Sequence, residues 1–124
     1  MPKYFMYHCP MYSQELIKGT LKTIVLSLLS EHDRMYGYEI TQKVKELTTG
    51  KIQITEGALY PTLHALEKHG DLTVEKVYIG KRVRKYYLLT DQGKNTVSER
   101  ISELAEFMNT MRFLLDLGSN VQNV

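Results

Sequence analysis

Apolar residues return at helical intervals through the first part of the chain. Ile17, Leu21, Ile24 and Leu28 share a face that Leu16, Val25 and Leu29 widen, which predicts one helix from about Ser13 to Ser30. The polar run Glu31-His32-Asp33-Arg34 interrupts it. A second helix is expected near Tyr38 to Thr48, with Ile40, Val44 and Leu47 on one side, Lys43, Lys45 and Glu46 outside, and Gly50 as its stop. Thr55 suits the N-cap of a third helix, because its hydroxyl can accept from a backbone N–H with no partner inside the helix. Leu59, Leu63 and Leu66 then form a narrow stripe that Gly70 ends.

The period then changes. Leu72 to Ile79 and Val83 to Leu89 are rich in Val, Tyr, Ile and Leu, and Gly80-Lys81-Arg82 between them predicts a hairpin. In the second strand Lys85, Tyr87 and Leu89 alternate with Arg84, Tyr86 and Leu88, so either face can be core; Tyr87 and Leu89 are preferred as the inward pair. Thr90 caps a final helix in which Val97, Ile101, Leu104, Met108, Met111 and Leu115 trace a heptad seam. At about 1.5 Å per residue this helix is about 37 Å long, so it outreaches a core of this size and much of its stripe needs outside cover. The fold class expected is mainly α with a small β-hairpin: a winged helix-turn-helix plus a long C-terminal dimerisation helix. The expected divisions are an N-terminal extension over residues 1–12, the winged helix-turn-helix over 13–90, and the long helix with its tail over 91–124.

Composition narrows the class without deciding it. The chain has 124 residues, the size of one domain, and its 43% hydrophobic and 24% charged residues exclude a disordered or fibrous class. No apolar run approaches the roughly 18 residues of a membrane span, and Met1 to Tyr12 lack the features of a secretory signal. The single cysteine, Cys9, fits a reducing compartment, so a cytoplasmic location is expected. Net charge is only +2, but Lys76, Lys81, Arg82, Arg84 and Lys85 stand against Asp71 and Glu75 within the hairpin region, while the last helix is acidic. Contact with a polyanion is therefore expected to be localised.

Two segments carry candidate chemistry. The third helix leaves Gly57, Tyr60, Pro61, His64 and Lys68 off its apolar stripe. A helix entering a major groove needs small residues at its leading end and donors for bases and phosphates; Gly57 and Ala58 meet the first need, and Thr55, Tyr60, His64 and Lys68 the second. The blander alternative is that Pro61 marks a local kink and that Tyr60 and His64 are ordinary part-buried side chains. In the hairpin, Lys81, Arg82, Arg84 and Lys85 suit phosphate contacts or an arginine in a minor groove. The alternative is that these cations protect an exposed sheet edge. Three helices followed directly by a basic hairpin are more specific than either part. Enzymatic readings fare poorly. His8, Cys9, His32, His64 and His69 lack zinc-ligand spacing, His8-Cys9 adjacency is not a catalytic geometry, and Gly57 and Gly70 lack phosphate-loop spacing. No catalytic residue, metal site or cofactor is expected.

Taken in order, Leu16-Ile17-Lys18-Gly19-Thr20-Leu21, Tyr36-Gly37-Tyr38-Glu39-Ile40, Thr55-Glu56-Gly57-Ala58-Leu59-Tyr60-Pro61-Thr62-Leu63, Leu66-Glu67, Arg84-Lys85-Tyr86-Tyr87-Leu88-Leu89-Thr90 and Gly93 resemble the PadR family, from about Glu15 to Gly93. The short C-terminal part is similar to its compact branch. The resemblance implies a transcriptional regulator, usually a repressor, that binds a palindromic operator in double-stranded DNA as a homodimer. It also implies a dimer built by the C-terminal helix against the partner's first helix, which adds Ile17 and Leu21 to the seam residues as interface candidates. Two departures stand out. Leu88 occupies a position commonly polar or basic, so the outer face of its strand is expected to be covered. The chain has no Trp, so the drug pocket of some compact members is not inherited. Phe107, Met108, Met111 and Phe113 either line a cavity for an aromatic small-molecule effector or, the preferred reading, form interface core. Met1 to Tyr12 lie outside the resemblance and either cross the dimer or rest on the first helix. The rival function is a dimeric winged-helix protein-interaction module that no longer binds DNA.

Overall fold

The computed structural model describes residues 12–116. Except for Tyr12, the expected N-terminal extension lies outside the described residues, as does the tail after 116. The elements run α1 (Gln14–Lys18), α2 (Leu21–Glu31), β1 (Met35–Tyr36), α3 (Gly37–Leu47), α4 (Glu56–His69), β2 (Leu72–Ile79), β3 (Arg82–Leu89) and α5 (Asp91–Leu114). The architecture is a winged helix-turn-helix followed by a long helix, as the periodicity predicts.

Three expectations need correction. The first helix is broken: Thr20 turns its amide and its hydroxyl onto the carbonyl of Ile17, at 3.0 and 3.1 Å, and closes a tight turn there. A new helix starts at Leu21, and the apolar spacing runs across the break unchanged, which is why periodicity misses it. Leu47, placed on the inner side of the second helix, is 67% exposed, because it stands in the last turn of α3 beyond Ile40 and Val44. A short strand, β1, also follows the polar break, ahead of the second helix, and pairs antiparallel with β3 through Met35–Tyr87 and Tyr36–Tyr86.

The sheet order is β1-β3-β2. Val25, Leu26 and Leu29 of α2, Ile40 and Val44 of α3, and Leu59, Leu63 and Leu66 of α4 bury into one cluster, closed from the sheet by Met35, Leu72 and Tyr87. Tyr87 is the inward face of β3, and Leu89 is half-buried against the same cluster. Burial, with Glu67 and Tyr60 nearby, pushes the Tyr87 phenol above its ordinary pKa, so it stays neutral in the core. Among the described residues, no helix is long and apolar enough to cross a membrane.

Candidate nucleic-acid interface

Helix α4 begins as its sequence demands. The Thr55 hydroxyl accepts from the Ala58 amide at 3.2 Å, and Glu56 sits in the first turn, where the helix dipole favours an acid. The helix then continues through Pro61 to His69 as one element. A proline ring crowds the carbonyl four residues back and leaves it without a donor. Here that residue is Gly57, which has no side chain, and Thr62 turns its hydroxyl to the neighbouring Ala58 carbonyl at 3.0 Å. Leu59, Leu63 and Leu66 anchor the helix, so Gly57, Tyr60, Pro61, His64 and Lys68 all lie on its exposed sides.

Gly57 and Gly37 differ in an informative way. A Cβ on Gly37 would collide with the outer end of the Tyr60 ring, so glycine where α3 starts lets that ring lie across it. A Cβ on Gly57 would meet only the Thr55 hydroxyl at 4.0 Å. Among the described residues, no contact asks for glycine at 57, although it costs helix stability of about 1 kcal/mol relative to alanine.

The hairpin tip is a two-residue turn, Gly80-Lys81, with Ile79 opposite Arg82 and Gly80 at φ +63°. Glycine at the first position of such a turn supplies the positive φ that L side chains resist. Strand β3 therefore begins one residue earlier than expected. Lys81, Arg82 and Lys85 are exposed. Arg84 is engaged differently: its guanidinium lies 4.0 Å from the Tyr36 ring centre and donates to the Tyr86 phenol oxygen at 3.5 Å. That hydrogen bond, with the surrounding phenols and Glu39, raises its pKa further. Arg34 makes the matching contact, 4.2 Å from the Tyr86 ring centre, and pairs with Glu75 on β2. Tyr36 and Tyr86 meet edge to face at 5.5 Å. Two arginines and two tyrosines thus clamp the hairpin to the segment that opens α3.

A cleft of about 440 Å³ joins the two halves. Gly37 and Tyr60 line it from the helix-turn-helix, and Arg82, Arg84 and Lys85 from β3. A second cleft, of about 400 Å³, sets Gln14 and Lys18 of α1 beside Thr55, Gly57 and Pro61. The described surface around α4 therefore combines an open glycine, hydrogen-bond donors and flanking cations, the means to approach and hold a polyanion.

A family model for transcriptional regulators of the PadR-like family matches residues 25–99. The chain belongs to that family. An uncharacterized protein of Lysinibacillus sphaericus is 40% identical to this PadR-like chain over 100 residues, covering 77% of this chain and 88% of the relative. A transcriptional regulator of Mycobacterium tuberculosis is 34% identical over 93 residues, covering 75% and 83%. The crystal structure of a PadR family transcriptional regulator from Eggerthella lenta is similar at a TM-score of 0.73 and 31% identity, covering 85% of this chain and 89% of that one.

Within this PadR-like protomer the interface candidates divide. Ile17, Leu21 and Val97 are already buried in its own core. Ile101, Met108 and Leu115 are 43%, 54% and 55% exposed, and Leu104 and Met111 are half-buried. Ile101 and Leu104 also border an apolar groove of about 350 Å³ with Ile24, Leu28, Val44 and Ile52. Phe107 and Phe113 are exposed, and Leu88 is half-buried beside Leu29 and Val97. Sequence reasoning singles out none of Arg34, Tyr36 and Lys18, which the structure brings to this surface. The first two join Arg84 and Tyr86 only through strand pairing, which local patterns do not encode. Lys18 was quoted only as part of a motif.

Proposed function

We propose that this chain is a homodimeric repressor that binds a palindromic operator in double-stranded DNA. The unit spanning 13–90 reads the DNA, and the part beginning at 91 joins the two copies. In this reading α4 lays Thr55, Gly57, Tyr60, Pro61, His64 and Lys68 along the major groove, with its backbone close at Gly57. Lys81, Arg82 and Lys85 hold flanking phosphates, Lys18 adds a cation beside the first turn of α4, and Arg84 braces the wing through Tyr36. The observation that supports the proposal is the cleft lined by Tyr60 together with Arg82, Arg84 and Lys85, since α4 and the basic hairpin border one space there. The uncovered stripe from Ile101 to Leu115 supports pairing through α5. An aromatic small molecule is the effector chemistry that Phe107, Met108, Met111 and Phe113 suit, because methionine packs well on aromatic rings.

The test is binding to the DNA upstream of the chain's own gene, measured across a range of salt. Affinity should fall steeply as salt rises, with a log–log slope of about −0.9 for each phosphate held. Binding should survive excess competitor DNA, and transcription from that promoter should fall when protein is added. Loss of binding under competitor overturns the proposal and favours a protein-interaction module.

A further inference from the structure

We propose that Asp71 is a positioning residue that fixes the angle between the recognition helix and α5, and so sets which half-site spacing a dimer accepts. The inference rests on the dimeric reading above.

Helix α4 ends at Gly70 in the left-handed region, φ +97°. The Gly70 amide returns to the Glu67 carbonyl at 3.0 Å and the Asp71 amide to the Leu66 carbonyl at 2.9 Å, the paired bonds of a Schellman ending. The residue after the glycine in this motif usually packs an apolar side chain on the last helical turn. Here it is an aspartate, and it is 2% exposed. A buried carboxylate is costly unless hydrogen bonds satisfy it, so its partners reveal its use.

Two of those partners come from the start of α5 and one, His69, from the end of α4. The Thr96 hydroxyl donates to Asp71 Oδ1 at 2.8 Å and the Gln92 amide to the same oxygen at 3.1 Å, while His69 Nδ1 lies 3.1 Å from Oδ2. The backbone adds to the joint: the Asp71 carbonyl accepts from the Thr90 amide at 3.0 Å, Gly70 from the Thr90 hydroxyl at 2.6 Å, and His69 from Gln92 at 2.9 Å. The elements approach so closely that a Cβ on Gly93 would run into the Asp71 carbonyl. Every α5 group named donates, and the end of α4 accepts.

Two attachment points decide what this joint controls. Gln92 and Thr96 are one helical turn apart, so a single carboxylate holding both constrains the direction of α5 as well as its position. The leverage is large. At about 1.5 Å per residue α5 extends about 36 Å, so a rotation of about 10° at its base moves the far end by roughly 6 Å. One base-pair step is about 3.4 Å. A joint loose by that angle loses spacing register.

The experiment uses the full chain and operators whose half-sites are separated by spacers of graded length. Asp71→Leu restores the apolar side chain usual after the glycine, and Thr96→Val removes one donor, so at least one variant should fold and dimerise, checked by thermal melting and sedimentation. For the folded variant, the preference for the best spacer over one a base pair longer should fall about tenfold, a change of about 1.4 kcal/mol. Affinity for an isolated half-site and its salt slope should be unchanged. A folded, dimeric variant with the wild-type spacing profile, or with equal losses at every spacer, overturns the inference. A monomeric or spacer-indifferent wild type instead overturns the dimeric reading beneath it.

Discussion

Gly57 is the residue at which folding and the proposed binding make opposite demands. Alanine there fills open space and favours the helix, so Gly57→Ala should keep or raise stability, by up to about 1 kcal/mol. In the proposed complex the same methyl would stand between α4 and a groove floor, so operator affinity should fall at least tenfold, read by anisotropy beside a denaturant melt. Equal or better binding would place the groove contact elsewhere. The wing separates two kinds of cation. Arg82→Ala should weaken binding and reduce the salt slope by about 1, the loss of one phosphate contact. Arg84→Ala, which removes the contact with Tyr36, should lower the melting temperature and weaken binding with the slope retained. Equal slope changes for both would give Arg84 a phosphate of its own. At this scale the sequence was readable wherever a residue acts on its near neighbours: Thr55 caps, Gly70 stops, and Leu59, Leu63 and Leu66 bury. It was unreadable where the partner is distant, as with Arg84 over Tyr36.

The elements followed their periods closely, because a stripe or an alternation is a local signal with a direct geometric meaning. Strand β2, α4 and the start of α5 lie where the pattern puts them. The break at Thr20 and the strand β1 do not announce themselves, since one keeps the apolar spacing intact and the other is only as ordered as its pairing with β3. The contact between α4 and α5 is equally hidden, for Asp71 reads as one more surface acid. Its hydrogen bonds expose it. Burial raises the Asp71 pKa, but hydrogen bonds from Thr96, Gln92 and His69 outweigh that and hold the carboxyl below its ordinary 3.8. A carboxylate depressed in the folded state contributes stability that is fully present above its unfolded value, about 4, and is lost as pH falls through the folded value. Denaturant melts between pH 6 and 2, a range chosen to span about two units either side of that value, should show wild-type stability falling more steeply at the acid end than that of Asp71→Asn. Parallel curves would mean that the carboxylate is not held as its hydrogen bonds suggest.

At the scale of the whole molecule, α5 keeps apolar side chains that the other described residues do not cover. Val97 reaches the core, but beyond it Ile101, Met108 and Leu115 stay exposed and Leu104 and Met111 only half-buried, and charged residues such as Glu103, Glu106 and Arg112 keep the rest of the helix compatible with water. Two copies meeting along that seam would remove it from solvent, at about 25 cal/mol for each Å² of apolar surface hidden. A twofold axis there would also repeat α4, with an expected separation of about 34–36 Å, one turn of DNA. Replacing Ile101 and Met108 together by glutamate tests this without touching the buried core, because both side chains are already exposed within the protomer. Like charges facing each other across the axis should dissociate the pair, so sedimentation should give a monomer while circular dichroism keeps the helical signal. Operator affinity should then drop by about a hundredfold or more, toward the non-specific range of about 10⁻⁴–10⁻⁶ M, since each half-site is held singly. If the double variant remains dimeric, the copies meet by another face, and the exposed stripe on α5 belongs to a different partner.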